Sequence, residues 1–411
     1  MAQAGDFDKP IVELENKIGE LKRFSAKKDI DLSLEINNLE KKLKSGKQLR
    51  IKFGIDPTAP DIHLGNAVIL WKLREFQNLG HKIVLIIGDF TARIGDPSGR
   101  LEARKMLGEK EIKKNMETYK KQIGKILDLQ KLKIVYNSRH LNKLNLTEIY
   151  RIFHFFSVNQ IIERDMFQER KKKEKPIWLH EFFYPVFQAY DSVVVKADVE
   201  IGGSDQLFNM MMGRQLQPCF GQLPQDIITM KLLVGTDGRK KMSKSFRNYI
   251  ALQESPKEQY GKLMSIKDEL ITEYFELCTQ LPLSEIQKIT KELKEKKINP
   301  RGLKAELARE TVSLYYGEKA AQIAEKEFER IFKEKKLPTK IPEIKIKEKA
   351  LNILNLLVKT KLAPSKSEAK RLILQKGIKI NDEIQEDWKK SVEIKKEMII
   401  RVGKRKFLKV V

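Results

Sequence analysis

The feature that most constrains this chain is an alternation of apolar segments between residues 50 and 87. Arg50 to Ile55 has the composition of a strand, and Lys82 to Ile87 that of a buried strand. Between them, His63 to Leu79 repeats apolar residues at helical spacing, and Gly80 ends the pattern. Because a βαβ unit of this length requires parallel strands, the segment predicts an α/β fold with a Rossmann-like, doubly wound parallel sheet.

The rest of the chain divides by composition and predicted secondary structure into further segments. At 411 residues it is too long for one ordinary core. The predicted segments are N-terminal helices at 1–46, the Rossmann-like domain at 47–250 with an insertion at about 110–200, a helical domain at 251–336, a linker at 337–346 and a small α+β domain at 347–411.

Charge and cysteine content limit the partners and the compartment. The net charge is +25, and residues 347–411 carry 18 Lys and Arg against 8 Asp and Glu. A basic excess this concentrated predicts a contact surface for nucleic acid. Only Cys219 and Cys278 are present, so neither a disulfide framework nor a zinc site is expected. With no apolar run of membrane-spanning length and no signal-like start, we expect a soluble, cytoplasmic protein.

The first motif combines Gly54 to Thr58 with His63 to Asn66, and it lies where the first strand ends and the helix begins. Open α/β sheets bind ligands at this place. Gly54 and Gly65 lack a Cβ, so a nucleotide can approach the backbone. Thr58, His63 and Asn66 can donate to phosphate oxygens, helped by the positive end of the helix. Taken alone, a turn with a capping polar residue explains the segment as well.

A second motif, Lys241-Met242-Ser243-Lys244-Ser245, follows the glycine-bearing turn Gly235 to Gly238. Lys241 and Lys244 are three residues apart on a mobile loop, called the lysine loop below, that can close over a triphosphate. The alternative is a solvated basic loop without a ligand.

A polar helix face forms the third constellation. Tyr184, Gln188 and Asp191 are spaced i, i+4 and i+7, so they share one side of a helix whose neighbours are apolar. Buried polar groups need partners, and either a polar ligand or a structural network can supply them. Two turns nearby add polar groups: Gly202 to Gln206, with an acid and an amide, and Gly95 to Gly99, with Asp96.

Together the first two motifs resemble the "HIGH" and "KMSKS" signatures of class I aminoacyl-tRNA synthetases, the second letter for letter. The polar helix face and the two turns closely resemble the tyrosyl-tRNA synthetase family of bacterial type, from about Arg50 to Tyr249. The resemblance implies a homodimeric ligase that activates L-tyrosine with ATP and Mg²⁺ and transfers the tyrosyl group to tRNA(Tyr). It also implies dimer contacts through the insertion at about 110–200 and an anticodon-arm-binding role for the helical domain.

The resemblance also assigns roles residue by residue. The expected catalytic residues, which act on the phosphates, are Thr58, His63, Asn66, Lys241 and Lys244. The expected ATP-binding residues are Gly54, Asp56, Gly65, Gly203, Asp205 and Met242. The expected tyrosine-binding residues are Asp96, Tyr184, Gln188, Asp191 and Gln206. No residue is expected to hold a resident metal.

Two positions depart from the family pattern. Asn66 replaces the second histidine of "HIGH", and its amide can still donate a hydrogen bond. Lys52 stands where the better-known branch has a tyrosine that contacts the phenol hydroxyl, so that contact rests on Asp191. Lys52 has no role in the resemblance, although a cation near Asp191 could pair with it.

The tail resembles a small RNA-binding domain shared with a ribosomal small-subunit protein. The matching stretches are Ser365 to Ile373, Gly377 to Asn381 and Val402 to Lys406. The expected RNA-binding residues are Lys366, Lys370, Arg371, Lys404 and Arg405. A solvated amphipathic helix is the alternative for the first stretch.

Three other functions remain open at this stage. A tryptophanyl-tRNA synthetase is the nearest, but that family resembles a shorter chain without the basic tail. A small-molecule nucleotidyltransferase would need neither the lysine loop nor the tail. A non-catalytic RNA-binding protein would explain the charge but not the polar pocket motifs.

Overall fold

The structure is a computed structural model of the chain, and it describes residues 46, 48–99, 102, 104, 106–332, 341–346, 348–403 and 406–411. Apart from Gly46, the predicted N-terminal helices at 1–46 lie outside the described residues. Lys404 and Arg405 of the predicted RNA-binding set lie outside them too. The chain folds into two compact units, Met1–Glu254 with Ile266–Lys291, and Ser255–Ser265 with Glu292–Val411.

The elements up to the fifth strand form the Rossmann-like part of the first unit. They are β1 (Arg50–Ile55), α1 (Leu64–Asn78), β2 (Lys82–Ile87), α2 (Thr91–Ile94), α3 (Glu109–Met116), α4 (Tyr119–Ile123), β3 (Leu132–Tyr136), α5 (Ser138–Leu141), α6 (Leu146–Phe153), α7 (Val158–Ile162), α8 (Asp165–Lys172), α9 (Phe183–Val195), β4 (Val199–Gly203), α10 (Leu207–Cys219) and β5 (Asp226–Met230).

Helices follow, and then short strands with two helices between them. They are α11 (Pro256–Leu263), α12 (Ile271–Cys278), α13 (Leu283–Lys294), α14 (Pro300–Tyr316), α15 (Glu318–Phe332), β6 (Glu343–Ile344), β7 (Ala350–Asn352), α16 (Ile353–Lys359), α17 (Lys366–Leu374), β8 (Ile378–Ile380), β9 (Glu383–Ile384), β10 (Ser391–Glu393), β11 (Ile399–Val402) and β12 (Lys406–Val410).

The main sheet has five strands in the order β3-β2-β1-β4-β5, and every neighbouring pair is parallel. The predicted doubly wound parallel sheet is therefore confirmed. The strand order reverses between β1 and β4, which places a crevice at their carboxyl ends. Every residue of β2 after Lys82 is buried, as expected for a strand with helices on both faces.

Helix α1 covers this sheet beside the crevice. The predicted helix His63 to Leu79 is one residue longer at each end than the observed one, because His63 and Leu79 are its caps. Leu70 and Leu73 have no exposed surface, so one side of α1 is sealed into the core. Its N-terminus is thereby held at the carboxyl end of β1.

The stretch predicted as an insertion at about 110–200 also contains strand β3 of the main sheet and helix α9. Its short helices α6, α7 and α8 pack on α9 and α10. Ile152 of α6 and Phe167 of α8 share a buried cluster with Val186 of α9 and Met212 of α10. The guanidinium of Arg170 is buried and paired with Glu181 at 2.7 Å, which secures α8 next to the start of α9. These contacts hold the polar face of α9 in place.

The predicted helical segment consists, where the structure describes it, of helices α11 to α15 joined by short turns and irregular stretches. Within the second unit, α11 packs against α14 and α15, and the Tyr260 hydroxyl lies 3.3 Å from a carboxylate oxygen of Glu325. The stretch Ile266–Lys291 belongs to the first unit instead. The domain boundaries at 251 and 336 stay a prediction.

The C-terminal segment is a small α+β domain, as predicted. Strands β6, β12, β11, β8 and β9 form one sheet in that order, and β7 pairs with β10. Its core contains Leu356 and Leu357 of α16 together with Ala369 and Ile373 of α17. Glu343–Ile344 was expected inside the linker at 337–346, but it forms β6, because its backbone pairs in parallel with Lys409 and Val410. Among the described helices, none is long and apolar enough to cross a membrane.

Candidate active site

A cavity of about 640 Å³ opens at the carboxyl ends of β1 and β4. Its walls come from the turn after β1, the first turn of α1, the polar face of α9, the end of β4 and the lysine loop. The lining contains every residue predicted for the reaction and its substrates: Gly54, Asp56, Thr58, His63, Gly65, Asn66, Asp96, Tyr184, Gln188, Asp191, Gly203, Asp205, Gln206, Lys241, Met242 and Lys244. Segments almost two hundred residues apart in sequence thus face one space.

Two carboxyl groups lie close together at one side of the cavity. The Tyr184 hydroxyl donates to Oδ2 of Asp56 at 3.0 Å, and the Thr91 hydroxyl donates to Oδ1 at 3.0 Å. Burial, together with the nearby charge of Asp96, raises the pKa of Asp56 to about 7. A Cβ at Gly88 would overlap this carboxylate, so only glycine fits there.

Asp96 differs from Asp56 in its partners. The Ser98 hydroxyl and backbone N–H donate to its Oδ1 at 2.7 and 3.0 Å, and the Gln206 amide donates to its Oδ2 at 2.8 Å. Burial by itself would raise the pKa of Asp96, but the charge of Arg104 and these hydrogen bonds together lower it. A stable carboxylate therefore lies beside a protonatable one, an arrangement suited to binding a cation.

Asp191 lies at the other end of the polar face of α9 and is held by two side chains that the sequence did not suggest. Nε2 of His140 is 2.6 Å from its Oδ1, and Nδ2 of Asn137 donates to its Oδ2 at 3.2 Å. Asp191 is only 3% exposed, yet it lines the cavity. The buried carboxylate is thereby stabilised and oriented, with acceptor capacity left for a ligand.

Lys52 is buried in the wall of the cavity, and its ammonium does not pair with Asp191. It forms an ion pair of 2.9 Å with Glu200 of β4. The possible pairing with Asp191 raised by the sequence is therefore excluded, because the ammonium is committed to Glu200.

The N-terminus of α1 supplies the cavity with a neutral imidazole. Burial, with the charges of Lys244 and Lys241, lowers the pKa of His63 to about 3. Among the described residues, Nδ1 of His63 has no hydrogen-bond partner although it is buried. The Asn66 amide oxygen accepts from the backbone N–H of His63 at 3.2 Å, which leaves the Asn66 amide N–H groups to the cavity. At Gly65, a Cβ would lie 3.1 Å from the His63 ring.

The lysine loop lies against the cavity. Lys241, expected to bind phosphate, forms an ion pair with Asp205, which is expected to bind the ribose. Lys244 donates to the carbonyl of Ala59 at 3.1 Å and lies 3.4 Å from the Tyr119 hydroxyl. Burial lowers the pKa of Lys244 to about 8, so it remains mostly protonated at neutral pH. Met242 is buried between these two lysines.

The predicted RNA-binding helix is α17 of the C-terminal domain, and it does not belong to this cavity. Lys366 is exposed, and Lys370 lies over the Trp388 ring at 4.0 Å. Arg371 forms an ion pair of 2.5 Å with Glu368. The surface of α17 thus presents exposed cations next to an aromatic ring.

Sequence analysis missed several residues of the cavity or of its support, chiefly Gly88, Arg104, Tyr119, Asn137, His140 and Glu200. Asn137 could have been found from the sequence, because it is a polar residue directly after β3. Polar residues that follow parallel strands meet at one edge of the sheet. Tyr119 had no such signal, since its partners Ala59 and Lys244 are distant in sequence, and the ion-pair partner of Glu200 lies on another strand. Among the described residues, no cluster of three metal-ligating side chains occurs.

Comparison with known proteins places this geometry in a family. The class I tRNA synthetase (W and Y) model matches residues 44–333, and the SYY-like C-terminal domain model of tyrosine–tRNA ligases matches residues 333–410. A match of residues 4–52 to an acetyl co-enzyme A carboxylase carboxyltransferase-like model is too short to show a family.

Two whole-length relatives agree with these models. The tyrosine–tRNA ligase of Moorella thermoacetica is 49% identical, with 90% of this chain and 89% of the relative covered. That of Thermotoga maritima is 48% identical, with 93% and 94% covered. Among solved structures, a C-terminally truncated mitochondrial tyrosyl-tRNA synthetase of Aspergillus nidulans matches with a TM-score of 0.58 and 25% identity over 70% of this chain and 86% of that one.

The raised pKa of Asp56 predicts a pH dependence of stability. Because the folded state holds the proton up to about pH 7 and the unfolded state releases it near 3.8, folding loses free energy as pH rises between these values. Between pH 4 and pH 8, the free energy of unfolding of the wild type should fall by roughly 2–4 kcal/mol more than that of Asp56→Asn. Thermal melting at several pH values measures this difference. The exposed control Glu163→Gln should parallel the wild type, and parallel curves for Asp56→Asn would contradict the assignment.

Proposed function

Because this chain belongs to the tyrosine–tRNA ligase family of class I tRNA synthetases, we propose that its cavity makes tyrosyl-adenylate from L-tyrosine and ATP and then transfers the tyrosyl group to tRNA(Tyr). The observation that carries the proposal is the shared cavity. Both signature motifs, the polar face of α9 and the end of β4 line a single space of about 640 Å³. That volume suits an amino acid bound beside a nucleotide.

Tyrosine is proposed to lie along α9. Its ammonium would approach Asp96, Tyr184 and Gln188, next to Asp56, where a cation offsets the crowding of two carboxyl groups. Its phenol hydroxyl would donate to Asp191, which Asn137 and His140 hold in place. Gln206 would lie near the tyrosine carboxylate. Its amide donates a hydrogen bond to Asp96, which is proposed to bind the neighbouring ammonium. The ammonium site and the phenol site would thus both use side chains of one face of α9.

ATP is proposed to occupy the half of the cavity lined by α1 and the end of β4. Gly54 and Gly65 would let it approach the backbone, with Asp56 nearby, and Met242 would contact the adenine. Gly203 and Asp205 would contact the ribose, which requires Asp205 to exchange its partner Lys241 for the sugar hydroxyls. The neutral His63, whose Nδ1 has no partner among the described residues, would hydrogen-bond the phosphates together with Thr58 and Asn66.

The reaction follows from this arrangement. A carboxylate oxygen of tyrosine attacks the α-phosphorus, a P–O bond to it forms, and the bond to pyrophosphate breaks. Negative charge grows on the leaving phosphates, where Lys241 and Lys244 stabilise it. A ribose hydroxyl at the 3′ end of tRNA then attacks the tyrosyl carbonyl, and AMP leaves. The protein supplies position and charge and no nucleophile.

Mg²⁺ is proposed to enter with ATP. Mg²⁺ usually keeps several waters and binds through phosphates and one or two carboxylates, so the absence of a metal-ligating cluster among the described residues is compatible with it. When bound, it would neutralise phosphate charge beside the two loop lysines.

The remaining expectations are also proposals. Exposed apolar residues of the insertion, including Leu146, Tyr150 and Leu179, support a homodimer formed through this surface. The described helices of 251–336 are proposed to bind the anticodon arm, and residues 347–411 to bind RNA through α17. We propose a cytoplasmic location, in keeping with two free cysteines. Tryptophan as substrate has less support, because the C-terminal model and both relatives are of the tyrosine type.

The first test concerns amino-acid identity and Asp191. Pyrophosphate exchange into ATP should proceed with tyrosine and only weakly with phenylalanine or tryptophan. Since a hydrogen bond to a charged acceptor is worth about 1.5–3 kcal/mol, Asp191→Ala should lower kcat/KM for tyrosine roughly 10- to 150-fold more than for phenylalanine. An unchanged tyrosine-to-phenylalanine ratio would remove Asp191 from the recognition site. Preference of the wild type for tryptophan would overturn the proposed function.

The second test concerns Lys244. If it stabilises the departing pyrophosphate, Lys244→Ala should slow adenylate formation about 100- to 1,000-fold and leave tyrosine affinity nearly unchanged. Rapid-quench measurement of adenylate formation distinguishes the two effects. Arg239→Ala is the matched control, because Arg239 is an exposed cation near the same loop that does not line the cavity. A Lys244→Ala rate within a few-fold of the wild type would contradict the assignment.

The third test concerns the tail. Ending the chain at residue 340 should leave pyrophosphate exchange within a few-fold and abolish tRNA charging. In the full chain, Lys366→Glu should weaken tRNA binding and reduce its salt dependence by about one phosphate contact. Lys113→Glu, an exposed lysine of α3, serves as the control. Full charging by the shortened chain would show that the tail is not the RNA-binding module.

A further inference from the structure

The buried ion pair between Lys52 and Glu200 has no role in the reaction as proposed above. Both side chains are about 1% exposed, yet both belong to the lining of the cavity. Burying two charges is costly unless every donor and acceptor is satisfied. A contribution to stability therefore does not explain why two charged residues are buried at this place.

All hydrogen-bonding capacity of the Lys52 ammonium is used inside the protein. It donates to Glu200 Oε1 at 2.9 Å, to the Gln188 carbonyl at 2.8 Å and to the Ser192 hydroxyl at 2.7 Å. A lysine has three N–H donors, so none is left for a ligand. Lys52 thus cannot substitute for the family's tyrosine as a phenol ligand.

Glu200 is saturated in the same way. Its Oε1 accepts from Lys52 and from the side-chain amide of Gln188, the latter at 3.1 Å. Its Oε2 accepts from the Ser192 hydroxyl at 3.0 Å and from the Gln225 amide at 2.5 Å. A carboxylate offers about four acceptor positions, and all four are filled.

The contact with Gln188 has a chemical consequence. A carboxylate only accepts, so the Gln188 amide must direct its nitrogen toward Glu200. Its oxygen then faces the other way, and Gln188 lines the cavity. An amide oxygen is an acceptor suited to an ammonium group, whereas the reversed amide would present N–H donors that repel one.

We propose that Lys52 and Glu200 are positioning residues that hold the Gln188 amide with its oxygen toward the cavity, and so select substrates bearing an α-ammonium group. Glu200 orients the side chain of Gln188, and Lys52 secures both Glu200 and the backbone of α9 at Gln188. Neither touches the substrate. This inference rests on the proposed function, since it assigns the ammonium of tyrosine to Gln188.

The experiment compares three ligands by calorimetry: tyrosine, tyramine, which keeps the ammonium, and 3-(4-hydroxyphenyl)propionate, which lacks it. The variant is Lys52→Met/Glu200→Leu, which removes both charges together and leaves no unpaired buried ion. We expect Kd for tyrosine and tyramine to rise about tenfold or more, and Kd for the propionate to stay within about twofold. General distortion of the cavity would weaken all three equally and would overturn the proposal.

Two controls show whether the effect passes through Gln188. Glu200→Gln can keep an amide oxygen toward Lys52 and Gln188, so it should retain the preference for ammonium ligands. In a Gln188→Leu background, removing the ion pair should have no further effect on tyramine binding. An additional loss there would mean that the pair acts by another route, which contradicts the proposal.

A second variant covers the case in which the apolar pair does not fold. Lys52→Gln/Glu200→Gln keeps hydrogen-bonding groups in place but lets Gln188 present either end of its amide, so about a threefold to fivefold loss for tyramine is expected. Tyramine binding equal to that of the wild type would overturn the inference. A wild-type protein that fails to exchange pyrophosphate with tyrosine would instead refute the proposed function, so the two failures are distinguishable.

Discussion

The parallel pairing of β1 with β2 on one side and β4 on the other is the constraint on which the site depends. Parallel strands end at the same edge, so this pairing brings the turn after β1 and the end of β4 to one place. The loops that carry His63, Asp205 and Asp96 all leave the sheet there. The position of the cavity thus follows from strand order.

Around that cavity the charged groups are largely paired before any ligand is present. Asp205 holds Lys241, His140 holds Asp191, and Lys52 holds Glu200. Of these, Asp191, Lys52 and Glu200 are buried, where a charge without a partner would be costly. The exception is Asp56, whose carboxyl group lies next to Asp96 and has a raised pKa. Two neighbouring carboxyl groups, Asp56 and Asp96, thus lie where the ammonium group of tyrosine is proposed to bind.

The paired state also gives the lysine loop a definite position. Lys241 on Asp205 and Lys244 on the Ala59 carbonyl hold the loop at two separate points. ATP bound as proposed would take over both contacts, with ribose replacing Lys241 and phosphates replacing Ala59. The loop would then exchange protein partners for substrate partners without leaving charges exposed to an apolar surface.

Local patterns in the sequence predicted the elements that form by local rules. Strands β1 and β2 and helix α9 lie where the sequence placed them, because a buried strand shows a short apolar run and a helix repeats residues of one kind along one face. Strand β6 was missed, since two residues carry no period and its pairing with β12 joins residues more than sixty apart. His140 was missed as a partner of Asp191 for the same reason.

The sequence by itself determined which chemical groups are available and the spacing that places Tyr184, Gln188 and Asp191 on one face. Only the tertiary structure decided which groups pair. Lys52 could be matched from the sequence with Asp191 or with Glu200, both acidic and both distant along the chain. The choice depends on β1 lying next to β4, which places the ammonium 2.9 Å from Glu200. The energy of an ion pair depends on the distance between the charges and on their burial from water. Both are set only when the strands have assembled.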